Sequence, residues 1–140
     1  MKISIGCDHG GIDLKNQILP LLEELGCEVE DMGTHTNDSV DYPDFARQVC
    51  DHVMENKSQR GILICGTGIG MSMAANRNKG IRAALCHEMF SAKMSREHND
   101  ANVLCLGARV IGPGLAMEIV RTWVTTEFAA GRHLKRIEMF

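Results

Sequence analysis

The sequence predicts an α/β fold, a parallel β-sheet with helices packed on both faces. Three observations carry this reading. Short apolar runs alternate with longer stretches whose apolar residues recur at helical spacing, and the pair repeats five times along the 140 residues. Strands separated by helical crossovers lie parallel in one sheet. The third run, GILIC (61–65), is fully apolar, and the polar clusters CDHGG, MGTHTNDSVDYPD, CGTGIG, CHE and GARVIG each follow a strand. In such a sheet all the strand C-termini share one edge, and ligands bind there, where the strand order reverses.

The elements follow in order. KISIGC (2–7) reads as the first strand and runs directly into a polar turn. GIDLKNQILPLLEELG (11–26) reads as a helix stopped by Gly26, with Pro20 predicting a kink or a break. CEVEDMG (27–33) reads as a second strand toward one edge of the sheet. DYPDFARQVCDHVMENK (41–57) has Phe45, Val49 and Val53 near helical spacing. After GILIC, a helix starts at GMSMAANRN (70–78). IRAALC (81–86) is a strand, SAKMSREHN (91–99) the end of a helix, NVLCLG (102–107) a strand and GLAMEIVRTWVTTEF (114–128) a helix. GRHLKRIEMF (131–140) is a basic tail, readable as a short helix. With no linker, low-complexity segment or internal repeat, residues 1–140 read as one domain.

Composition narrows the function. Apolar residues make up 44% of the chain, charged residues 24%, and the net charge is −3 without a charge block, which argues against non-specific nucleic-acid binding. No apolar run approaches the roughly 20 residues of a membrane span. The start MKISIGCDHGG does not read as a signal peptide, so a cytoplasmic protein is expected. The six cysteines, at 7, 27, 50, 65, 86 and 105, form no CxxC pair, and no zinc-like or other metal spacing appears. In a reducing cytosol they are expected as free thiols, with Cys27, Cys50, Cys86 and Cys105 as core hydrophobes.

Cys65 is different in its setting. It ends an apolar strand and stands just before a helix N-terminus, where unpaired N–H groups and the helix dipole favour a thiolate. Gly66, Gly68 and Gly70 allow the backbone to approach a ligand and turn its N–H groups inward, with Thr67 beside them. The alternative is a tight strand–helix turn without a ligand. A dinucleotide fingerprint is weak here, because its third glycine is missing, and no Gly-Lys-Ser/Thr of a phosphate-binding loop follows. Asp8 either caps the first helix or joins His9 in binding sugar hydroxyls and phosphate. His98, beside Asn99 and Asp100, either acts on substrate or complements its helix C-terminus. Tyr42 lies between Asp41 and Pro43, and Arg109 follows the fifth strand. Arg132 and Arg136 share a helix face if the tail is helical, which suits a phosphate as well as solvent. His35, His52, His87 and His133 lack ligand-like partners and read as surface or packing residues. A thiolate, an oxyanion nest, an imidazole and arginines suit proton transfer beside the carbonyl of a phosphorylated substrate.

These stretches, taken together, resemble the type B ribose-5-phosphate isomerases, within a wider group that includes galactose-6-phosphate and allose-6-phosphate isomerases. The matching segments are GCDHGGIDLK (6–15), DYPDFA (41–46), GILICGTGIGMSMAANR (61–77), GIRAALC (80–86), SREHNDANVLCLGARVIG (95–112) and GRHLKR (131–136), in order over nearly the whole chain. The resemblance implies a three-layer α/β/α Rossmann-like sandwich on a five-stranded parallel sheet of order 2-1-3-5-4. It implies interconversion of ribose 5-phosphate and ribulose 5-phosphate through an enediolate, without metal or cofactor. Six-carbon sugar phosphates and a non-catalytic sugar-phosphate-binding domain are the alternatives. Cys65 matches the base; some members carry a glutamate a few residues later instead, where this chain has Met71. His98 matches the acid that opens the ring, and Thr67 the hydroxyl that assists it. Asp8, His9, Tyr42, Asn99 and the backbone of Gly66, Gly68, Ile69 and Gly70 match sugar-binding positions, and Arg109, Arg132 and Arg136 match phosphate-binding ones. The resemblance also implies a homodimer or homotetramer whose sites are shared between subunits.

Overall fold

A computed structural model describes residues 1–140. Its elements are β1 (Lys2–Cys7), α1 (Ile12–Glu24), β2 (Glu28–Asp31), α2 (Tyr42–Met54), β3 (Arg60–Cys65), α3 (Ile69–Ala75), β4 (Ala83–Leu85), α4 (Met89–Glu97), β5 (Val103–Gly107), α5 (Pro113–Thr125) and α6 (Arg132–Ile137). The five strands are parallel, in the expected order β2-β1-β3-β5-β4. The central strands β1, β3 and β5 are in register through Ile5, Ile62 and Leu104.

Side chains alternate across a strand, so each central strand feeds two cores. Ile3, Ile5, Ile62, Ile64, Leu104 and Leu106 point to one face, where Ile18 and Leu22 of α1, Ala92 of α4 and Ile119 and Trp123 of α5 close over them. Leu63, Cys65, Val103 and Cys105 point to the other, against Val49, Cys50 and Val53 of α2 and Met71 and Ala75 of α3. Burying a side chain of this size stabilises by roughly 1.5–3 kcal/mol. The period of two also decides where Cys65 goes: two residues beyond Leu63, it enters the α2/α3 layer.

Pro20 lies inside α1 without ending it. Its position is exposed, so the carbonyl that loses its helical N–H partner faces water. The basic tail is helical over Arg132–Ile137 and is tied back by the Ala129 N–H, which donates to the Glu97 carbonyl at the end of α4.

The edge where the strands begin is held by two buried arginines. Arg60 opens β3 and donates to the carbonyls of Trp123 and Val124 at 3.0 Å, satisfying the end of α5. Arg96 donates to the Ala101 carbonyl and pairs with Asp100 at 2.8 Å. Both guanidinium groups lie over the Trp123 ring, at 5.4 and 5.8 Å from its centroid.

All six cysteines are buried and free. Burial pushes the Cys7 thiol up to about 11 and the Cys50 thiol up to about 12, and raises Cys86 and Cys105 as well. Cys50, Cys86 and Cys105 are therefore core thiols, as their apolar settings predicted. No helix is long and apolar enough to cross a membrane.

Candidate active site

The thiol of Cys65 sits at the end of β3, and the residue is 5% exposed. The Gly66–Thr67–Gly68 turn folds back over it. Gly68 has φ +75°, which directs its N–H onto Cys65 Sγ at 3.1 Å. Thr67 Oγ1 accepts from the Ile69 N–H at 3.3 Å and so shapes the start of α3.

Two glycines here leave no free room for a side chain. A Cβ on Gly68 would lie 2.5 Å from Leu85 Cδ1 and 2.9 Å from the Leu106 carbonyl carbon, besides its left-handed backbone. A Cβ on Gly70 would lie 2.7 Å from Tyr42 Cζ, so the ring of Tyr42, at the start of α2, rests directly on α3. Gly68→Ala is expected to destabilise the fold by about 2–4 kcal/mol, combining strain and backbone overlap. A urea melt measures this, and an unchanged midpoint would refute the packing described.

The neighbouring turns complete this edge. Asp8, at the end of β1, donates its N–H to the Ile64 carbonyl at 3.1 Å, and its carboxylate accepts from the Gly10 N–H at 2.9 Å. The carboxylate thus holds its own turn; the N-cap of α1 is Gly11. His9 Nδ1 accepts from the Val40 N–H at 3.3 Å, leaving Nε2 as its free nitrogen. Arg109 follows β5, and its N–H donates to the Gly66 carbonyl at 2.9 Å. Its exposed guanidinium lies over the turns at Gly10 and Gly66, with no ion-pair partner. Asp8, His9, Tyr42, Cys65, Thr67 and Arg109 therefore stand together.

His98, Asn99, Arg132 and Arg136 do not join them within one protomer. His98 ends α4, and α4 runs back to the edge where the strands begin, as a crossover helix must. The chain then enters β5, with the Ala101 N–H bonded to the Ser95 carbonyl and the Asn102 N–H to the Arg82 carbonyl just before β4. The length of β3, about 16 Å from Arg60 to Cys65 at 3.3 Å per residue, separates the two edges. On that far edge the rings of His98 and His133 stack at 4.1 Å, 12° from parallel. Arg132 and Arg136 flank this pair from α6, exposed and unpaired. Burial lowers the pKa of His133, and the charges of His98, Arg132 and Arg136 push the same way. Its expected packing role is thus a specific one, against His98.

Lys15 was assigned no role from sequence. It is 1% exposed, and its ammonium donates to both Asp31 oxygens at 2.7 Å and to the Thr34 carbonyl at 3.1 Å. This anchors the β2 end to α1, beneath the loop that reaches His9. A lysine among the inward positions Ile12, Leu14 and Ile18 was the available signal. His87, read from sequence as a surface or packing residue, is partly buried, and its Nε2 is shielded from solvent and has no partner.

The Ribose/Galactose Isomerase family pattern matches residues 3–140. Ribose-5-phosphate isomerase B of Escherichia coli is 50% identical over 137 residues, covering 98% of this chain and 92% of that protein. The D-erythrulose-4-phosphate isomerase of Pectobacterium atrosepticum is 46% identical over 139 residues, covering 99% of this chain and 91% of its own length. The solved structure of Clostridium thermocellum ribose-5-phosphate isomerase B superposes with a TM-score of 0.97 at 55% identity, covering 99% of this chain and 94% of that one. With the glycine turn, its thiol and the 2-1-3-5-4 sheet all in place, the chain belongs to the ribose/galactose isomerase family.

Proposed function

We propose that this chain is an aldose–ketose isomerase of the cytoplasm that interconverts ribose 5-phosphate and ribulose 5-phosphate, using residues 1–140 as one domain with a basic tail at 131–140. The observation that carries the reading is the Cys65 thiol at a strand end, held by the Gly68 N–H inside a glycine turn. Cys65 as thiolate removes the proton from C2 of the open-chain aldose. The electron pair moves into the C1–C2 bond, and the carbonyl oxygen at C1 becomes an oxyanion. The N–H groups of the Gly66–Gly70 turn other than those of Gly68 and Ile69, which already donate to Cys65 Sγ and Thr67 Oγ1, stabilise that charge, an effect worth about 3–4 kcal/mol per well-placed donor. Cys65 returns the proton to C1, and transfer of the hydroxyl proton from O2 to O1 leaves the ketose. Asp8, His9, Tyr42 and Asn99 orient the sugar; Thr67 and His98 serve ring opening; Arg109, Arg132 and Arg136 hold the phosphate.

This division needs a second copy of the chain. His98, Asn99, Arg132 and Arg136 of one copy meet Cys65, Asp8 and Arg109 of another, in a homodimer or a tetramer built from such pairs. Two features support it. Arg109 at one edge and Arg132 and Arg136 at the other have no ion-pair partner in the protomer, whereas Arg96 of the far edge is paired with Asp100. The elements around the Cys65 turn also expose apolar side chains, namely Ile69, Met73, Met89, Phe90 and Val110, as a surface to be covered does.

The test is steady-state turnover of ribose 5-phosphate, allose 6-phosphate, galactose 6-phosphate and unphosphorylated ribose. The five-carbon phosphate is expected to give the highest kcat/KM. Binding of sugar phosphates without turnover of any of them would reject an isomerase.

A further inference from the structure

One peptide unit links the thiol to a histidine that the proposed chemistry leaves unused. The N–H of the Thr67–Gly68 peptide belongs to Gly68 and points at Cys65 Sγ. Its carbonyl belongs to Thr67 and points the other way, toward Gly107 at the end of β5. A Cβ built on Gly107 would lie 2.6 Å from the Thr67 oxygen and 3.0 Å from His87 Nε2. The carbonyl and the imidazole therefore flank the same small space, which exists because residue 107 is a glycine. His87 Nε2 is shielded from water there and bonded to nothing. A buried ring nitrogen without a partner is costly, and the Thr67 oxygen is an acceptor bordering the same space.

We propose that His87 is a positioning residue for Cys65: its Nε2–H donates to the Thr67 carbonyl and polarises the peptide whose N–H holds the thiolate. Hydrogen bonds in series strengthen one another, so a donor on the carbonyl makes the Gly68 N–H a better donor to sulfur. The proposal rests on reading Cys65 as the base. His87 touches no substrate. The other groups around the thiol do not supply this bond. Cys50 of α2 and Cys105 of β5 share its core cluster and are kept as thiols by burial. Tyr42 lies on Gly70, and Asp8 and Arg109 stand at the Gly10 and Gly66 turns, all away from the Thr67 carbonyl.

The test is iodoacetamide alkylation of the intact protein, read on the Cys65 peptide by mass spectrometry from about pH 5 to about pH 9, the range that spans thiol ionisation. His87→Phe keeps a ring and removes the donor; His87→Gln keeps an N–H donor; His87→Ala tests the same loss should the Phe ring not fit. The Phe or Ala variant is expected to alkylate about two- to fourfold more slowly at neutral pH, since the Gly68 hydrogen bond to sulfur is weakened by part of its strength and not lost, with the profile moved to higher pH. The Gln variant is expected to lie near wild type. Coincident profiles for all variants would overturn the proposal. So would a Gln variant as slow as Phe, since His87 would then act by packing alone. The measurement uses no sugar, so its failure would leave the isomerase reading standing. Failure of the isomerase reading would appear instead as absent sugar-phosphate turnover beside a shifted alkylation profile.

Discussion

Cys65→Ser is expected to lower kcat for ribose 5-phosphate by about a thousandfold, within the range that general-base groups contribute, while the fold and sugar-phosphate affinity persist. The reason is acidity. A serine hydroxyl accepts the same Gly68 N–H and fits the same place, 5% exposed at the end of β3. It cannot ionise near neutral pH as a thiol can. The glycine turn, the Arg109 guanidinium and the core around Leu63 and Met71 are untouched, so the melting temperature should move by only a few degrees, as for a change of about 1 kcal/mol. Measured kcat, and product binding by calorimetry, separate the outcomes. Retention of more than about a tenth of wild-type kcat, a barrier change of only about 1.4 kcal/mol, would remove Cys65 from the role of base.

The second large effect is recovery rather than loss. Cys65→Ser and His98→Asn proteins should each be nearly inactive alone. Unfolded together in equal amounts and refolded, they should regain about a quarter of wild-type activity. Random pairing makes about half the dimers mixed, and each mixed dimer carries one site with both native groups and one with neither. The expectation follows from the opposite edges that Cys65 and His98 occupy in one protomer, about 16 Å of strand apart. Size-exclusion chromatography of the mixture confirms that paired chains are present. Paired chains without recovered activity would show that His98 serves no site across an interface.

Much of the architecture was legible because it is written locally. A continuous apolar run in GILIC, apolar spacing in α2 and α5 and a glycine or proline at the element ends each act within a few residues. The turn at Cys65 was legible for the same reason: thiol, glycines and helix start are neighbours in the chain. Strand order came through resemblance, since β3 beside β1 is a long-range choice among crossovers. Pro20 shows the limit of a local rule. It marks a break in sequence, yet on an exposed face the helix runs through it.

By itself the sequence determined the alternation of strands and helices, the edge on which the polar turns gather, and the thiol that ends the third strand. Tertiary structure decided what those residues meet. It set Lys15 against Asp31, sixteen residues away, and the ring of His87 beside the Thr67 carbonyl over a glycine of β5. It also put His98 and the tail arginines on the edge opposite Cys65. Spacing along a chain specifies local conformation through short-range sterics and hydrogen bonding. The partner of a buried polar group is specified only when distant strands come into register, because burial belongs to the packed whole and not to the segment.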